Sequence, residues 1–272
     1  MKKLNIYIVM KIVVFDLDET LGYFTQYGIF WDSLAHYVKN KNKSKLTQTD
    51  FNNTLDLFPE FLRPNIINIL NYLKNKKESK CCHKMLIYTN NNGPKEWSHN
   101  IIGYFEKKIN YKIVDQIISA FKINGKSVEL CRTTHDKTHK DFIKCTKISH
   151  NAEICFLDDT FYPGMTHDNI YYINVKPYYH DLQFENMLKR FKESVFGSKL
   201  IDNDFENIMM EQIKLYNYDC IDKDTDDYEI DKILGKHIIT HLQEFFYRSN
   251  KNKTMRNKTM RNSKRNKTYK RK

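Results

Sequence analysis

The chain predicts an α/β fold, with a mainly parallel, Rossmann-like sheet flanked by helices and followed by a helical extension. Two observations carry this. Apolar runs of strand length recur at residues 6–15, 85–89 and 154–158, and each ends in carboxylates or a hydroxyl. Buried parallel strands read as continuous apolar runs, and open α/β sheets gather ligands at the carboxyl ends of their strands. Between and beyond these runs, apolar residues fall at helical spacing. At 272 residues and 40% apolar content, the chain can bury one such core with a small insertion.

The first strand spans 6–15, interrupted by Lys11, and is too short to cross a membrane. Residues 22–60 follow as a small helical insertion, with Trp31, Leu34, Tyr37 and Val38 near helical spacing. It is too small for a full lid, so an open cleft and a macromolecular substrate are expected. Phe61-Leu62-Arg63-Pro64 opens a helix whose stripe is Ile66, Ile67, Ile69, Leu70 and Leu73, with Pro64 in the favoured first turn. Met85-Leu86-Ile87-Tyr88-Thr89 is the second strand, stopped by Asn90-Asn91-Asn92-Gly93-Pro94. Residues 154–158 form a third, turned away by Pro163-Gly164, and 171–175 form one more. The core thus occupies 1–180. Helical patterns at 182–196, 205–216 and 228–246 make an extension over 181–249, packed on the core. In the last of these, Ile230, Ile233, Leu234, Ile238, Leu242 and Phe245 line up as an apolar stripe.

The chemistry concentrates at the strand ends. In Phe15-Asp16-Leu17-Asp18-Glu19-Thr20, two carboxylates one residue apart repel unless a cation or a shared proton compensates. Thr89 closes the second strand, where such sheets gather ligands, and Asn90 adds a donor. Asp158-Asp159 ends the third strand. Adjacent buried acids are costly without a counter-ion, and magnesium supplies one through oxygen ligands. His135 and His139 have no partners at zinc spacing and read as residues flanking the cleft.

The run Asp16-Leu17-Asp18-Glu19-Thr20-Leu21 resembles the first motif of the haloacid-dehalogenase superfamily of phosphohydrolases, and the later strand ends follow that family's order. Arg63-Pro64 and Lys140-Asp141-Phe142 are similar to the phosphatases that act on the polymerase C-terminal domain, the NLI-interacting-factor-like group. The resemblance spans about residues 11–176. It departs at Thr89-Asn90-Asn91, where that group has Thr-Ala-Ser, and after Asp159, where Thr160-Phe161-Tyr162-Pro163 replaces Ser-Pro. It implies a Rossmann-like core with a small cap or none, and Mg²⁺ held by Asp16, Asp158, Asp159 and the Asp18 backbone carbonyl. It also implies Asp16 as nucleophile, Asp18 as acid and base, and Thr89 and Lys140 gripping phosphate. Lys137 is the rival for the lysine. Thr20, Asn90 and Arg132 are expected to contact substrate. The implied reaction is phosphomonoester hydrolysis through an aspartyl-phosphate, on a phosphorylated protein. The alternatives are a nucleic-acid end or a catalytically silent scaffold.

Residues 250–272 read as a disordered basic tail, with 11 Lys and Arg and no acid after residue 250, which leaves the rest of the chain near +1. Such a tail can contact nucleic acid or address a protein to the nucleus. Six cysteines without CxxC spacing read as reduced thiols of a cytoplasmic or nuclear protein, neither secreted nor membrane-bound.

Overall fold

The computed structural model describes the backbone of residues 9–268 and the side chains of residues 9–247 other than Lys95. The expected strand residues 6–8 and the basic side chains of the expected tail, 250–272, lie outside what is described. In chain order the elements are β1 (Lys11–Phe15), α1 (Thr25–Asn40), α2 (Gln48–Leu55), α3 (Ile66–Glu78), β2 (Lys84–Tyr88) and α4 (Lys95–Ile109). Then come β3 (Gln116–Ile118), β4 (Lys122–Ile123), β5 (Lys126–Ser127), α5 (His139–Thr146), β6 (Glu153–Asp158) and β7 (Ile170–Asn174). The extension comprises α6 (Phe184–Glu193), α7 (Val195–Leu200), α8 (Phe205–Lys214) and α9 (Thr225–Thr268).

Four parallel pairings join five strands in one sheet of order β3-β2-β1-β6-β7, with β1 at its centre. This is the predicted fold class. Side chains alternate across a strand, and β1 is buried on both faces. Ile12 and Val14 enter one apolar cluster with Phe142 and Ile143 of α5, while Val13 and Phe15 enter the other with α1–α4 and the extension.

The insertion is part of the core. Tyr27, Phe30, Leu34 and Tyr37 of α1 are fully buried, and Thr47 caps α2 through a reciprocal bond with Asp50. The extension packs on α1: Phe191 stacks on Phe205 at 5.5 Å and meets Phe30 edge-on at 5.7 Å. The predicted 182–196 helix divides at Ser194, whose hydroxyl accepts from the Gly197 amide and starts α7. The stripe on α9 is shorter than expected. Ile238, Leu242 and Phe245 are buried, while Ile230 and Ile233 are exposed. Gly235 brings α9 against Pro64, whose carbonyl oxygen would lie 2.3 Å from an added Cβ. Lys11 opens β1 rather than interrupting it, and its buried ammonium donates to the Phe246 carbonyl at 2.9 Å.

Helix α4, strand β3 and the β4–β5 hairpin have no counterpart in the sequence reading. Asn124 and Gly125 turn the hairpin with φ of 50° and 77°, and that Asn-Gly pair was the available signal. The cysteines differ too. Cys131 and Cys145 form a disulfide, while Cys81, Cys82, Cys155 and Cys220 are free thiols. Their separation of 14 residues spans a loop and α5, so chain folding brings them together. No helix among the described residues is long and apolar enough to cross a membrane.

Candidate active site

Strand register places the two principal carboxylates. Phe15 pairs with Leu157, and the Asp16 amide donates to the Leu157 carbonyl at 2.9 Å. Asp16 therefore stands beside Asp158 one step on. Both have the parity of Val14 and Phe156, so both face the α5 side. Oxygens of Asp16, Asp158 and Asp159 lie within 4.8 Å of one another. Thr89 directly follows β2, the other neighbour of β1, so the three strand ends lie side by side.

The lysine that the structure brings to the acids is Lys137, not Lys140. The Lys137 ammonium donates to Asp16 Oδ1 at 2.5 Å and to Asp158 Oδ2 at 2.7 Å, fully buried between them. Burial alone would lower its pKa, but the two carboxylates more than offset this and hold it above the ordinary lysine value. The reason is local. Thr138 caps α5, accepting from the Asp141 amide, and α5 turns Asp141 and Phe142 inward. Lys140, one residue earlier, points to solvent, while Lys137 lies in the loop before the cap and reaches across the strand ends.

Burial pushes the Asp18 carboxyl up to about 7, and the Asp16 charge adds to the rise. Its Oδ2 accepts from Asn91 Nδ2 at 2.8 Å. Burial also raises Asp158 to about 7 against the pull of Lys137, and it raises Asp16. The Asp18 carboxylate is not in the three-acid cluster.

Three expected substrate contacts are otherwise engaged. Thr20 is buried and donates to Asp159 Oδ1 at 2.9 Å, tying the first loop to the third strand end. Arg132 is buried and spends its guanidinium on the carbonyls of Thr89, Ser119 and His135, at 3.1, 2.9 and 2.8 Å. These bonds brace the loops, and its buried Nε has no partner among the described residues. Asn90 donates to the Tyr162 hydroxyl at 3.0 Å and leaves its buried Oδ1 without a partner. Thr89 is buried, and its hydroxyl accepts from the Asn91 amide at 2.9 Å.

Arg63 braces the first loop. Fully buried, it donates to the carbonyls of Thr20 at 2.6 Å and Lys176 at 2.8 Å, and also to that of Glu19. Glu19 sits at φ +57°, a costly conformation for a non-glycine residue, and these bonds hold it there. Asn91 is the residue the sequence reading missed, and it was one of three consecutive asparagines with nothing to single it out.

Three carboxyl groups (Asp16, Asp158 and Asp159) thus cluster, two of them (Asp16 and Asp158) on the Lys137 ammonium, among the described residues. The cluster offers only oxygen donors and retains excess negative charge, which suits a hard divalent cation. Comparisons with protein-family models, with curated proteins and with solved structures return no match.

Proposed function

We propose that this chain is a magnesium-dependent phosphomonoester hydrolase of the haloacid-dehalogenase type. One observation carries the reading: Asp16 and Asp158 converge on the buried Lys137 ammonium at a strand-end cleft. A buried acid pair with a cation is costly as structure but suited to gripping and attacking phosphate. Asp16, Asp158 and Asp159 would hold the metal, which when bound neutralises charge on the phosphoryl oxygens.

A carboxylate oxygen of Asp16 attacks phosphorus, the ester P–O bond breaks, and an aspartyl-phosphate forms. Asp18 gives its proton to the leaving oxygen. It then takes one from the water that cleaves the acyl phosphate and regenerates Asp16. Lys137 balances charge on the phosphoryl group, and Thr89 closes the pocket beside it. Asn91 aims Asp18. The substrate we favour is a phosphorylated protein, because the insertion forms core rather than a sealing lid. A polynucleotide end is the second reading, favoured by the basic run after residue 250.

The test is hydrolysis of a chromogenic phosphate ester with and without Mg²⁺. Turnover should vanish on chelation, and Asp16→Asn should lose it with unchanged circular dichroism. Full turnover by Asp16→Asn would remove the covalent route.

A further inference from the structure

Beside Asp18 a groove of about 530 Å³ opens between α1, the start of α4 and the segment after α8. Asp18 and Asn91 line it, so it is continuous with the proposed reaction centre. Its walls are aromatic, with Trp31, Trp97, Tyr216 and Tyr218. Its charges are all of one sign: Asp18, Asp32 and Glu96, with no cation in the lining among the described residues. Asp32 and Glu96 are exposed. Among the described residues neither forms an ion pair, and a Tyr216 hydroxyl donates to Asp32 at 3.5 Å. The walls are braced. Tyr218 donates to Asp181 at 2.6 Å and shares a 2.6 Å bond with Tyr23, and Trp97 lies against Tyr27 and Phe51.

Aromatic faces and carboxylates together attract a cation, through ring quadrupoles and through charge. They repel a second phosphate. A polynucleotide chain would carry its next phosphate towards Asp32 and Glu96, whereas a peptide can carry arginine or lysine there.

We propose that this groove binds the peptide flanking the phosphorylated residue, and that this flank carries an arginine or lysine side chain. The inference rests on the phosphatase reading and names its substrate class as a basic phosphopeptide. The groove selects by charge beside the reacting phosphate, and a pure nucleic-acid substrate does not fit it.

Both tryptophans of the chain line the groove, so intrinsic fluorescence reports its occupancy without any need for turnover. The full chain with Mg²⁺ is titrated with peptides bearing a non-hydrolysable phosphonate and either arginine or glutamate on each flank, and with a 5′-phosphorylated oligonucleotide. The arginine peptide should bind about tenfold more tightly than its glutamate counterpart. Asp32→Lys, and separately Glu96→Lys, should cancel or invert that preference. Equal affinity for the two peptides, a preference untouched by both variants, or tighter binding of the oligonucleotide would overturn the proposal. Ester hydrolysis measured in parallel separates the two claims. Turnover without charge preference sinks the groove alone, and charge preference without turnover sinks the phosphatase reading alone.

Discussion

Lys137 and Lys140 sit three residues apart, and only Lys137 reaches the acid pair. A helix cap decides between them: Thr138 starts α5 just after Lys137, so the earlier lysine stays in the loop and the later one joins the solvent face. Removing Lys137 leaves Asp16 and Asp158 as buried neighbouring charges without their counter-ion. Lys137→Ala should therefore cut ester turnover by about 100-fold or more, while Lys140→Ala should change it by less than about twofold. Steady-state kinetics of the two variants decides this, and the reverse ranking would refute the assignment. The lysine could not be chosen from sequence because both follow the same polar stretch. The acids could, because each terminates an apolar run.

The loop from Arg132 to α5 is an element with three anchors. Arg132 holds carbonyls on two other strand ends, Asp141 accepts from Thr133, and the Cys131–Cys145 disulfide closes the loop onto its own helix. Fourteen residues of separation correspond to a stabilisation of about 3 kcal/mol by restricting the unfolded chain. A Cys131→Ser/Cys145→Ser variant should lose about that much in denaturant unfolding, and thiol reductant should then have no further effect on it. Helix α9 also makes a close approach of a different kind. Gly235→Ala would drive a methyl into the Pro64 carbonyl, with an expected cost of about 1–3 kcal/mol, read from thermal melts. An unchanged melting temperature would mean that α9 can shift away at no cost. The Asn124-Gly125 turn was open to sequence reading. The disulfide was not, since a 14-residue spacing does not reveal which thiols meet.

Across the whole molecule, the acids that make the cleft also weaken the metal-free fold. Asp18 and Asp158 both titrate near 7 in the folded chain because burial disfavours their charge, against about 3.9 when unfolded. Between those values the folded state binds more protons, so stability falls as pH rises through that window and the loss is complete above it. In chelator, the melting temperature should drop from pH 5 to pH 8. Mg²⁺ should restore it far more at pH 8, and Asp18→Asn should flatten the slope. A magnesium effect larger at pH 5 would contradict the carboxylate cluster as its site. The core spans insertion, sheet and extension, with Phe30 of α1 meeting Phe191 of α6, so these segments are expected to stabilise one another.

The linear chain by itself determined the α/β class, the order of the chemical strand ends and the identity of the paired acids. Strand burial writes continuous apolar runs, and a polar residue that ends such a run stands out locally. Tertiary structure alone decided which lysine enters, that Thr20 and Arg132 serve as braces, that Asn91 aims Asp18, and that an acidic aromatic groove adjoins the cleft. Those outcomes depend on register, helix caps and the meeting of segments far apart in the chain, none of which leaves a local pattern to read.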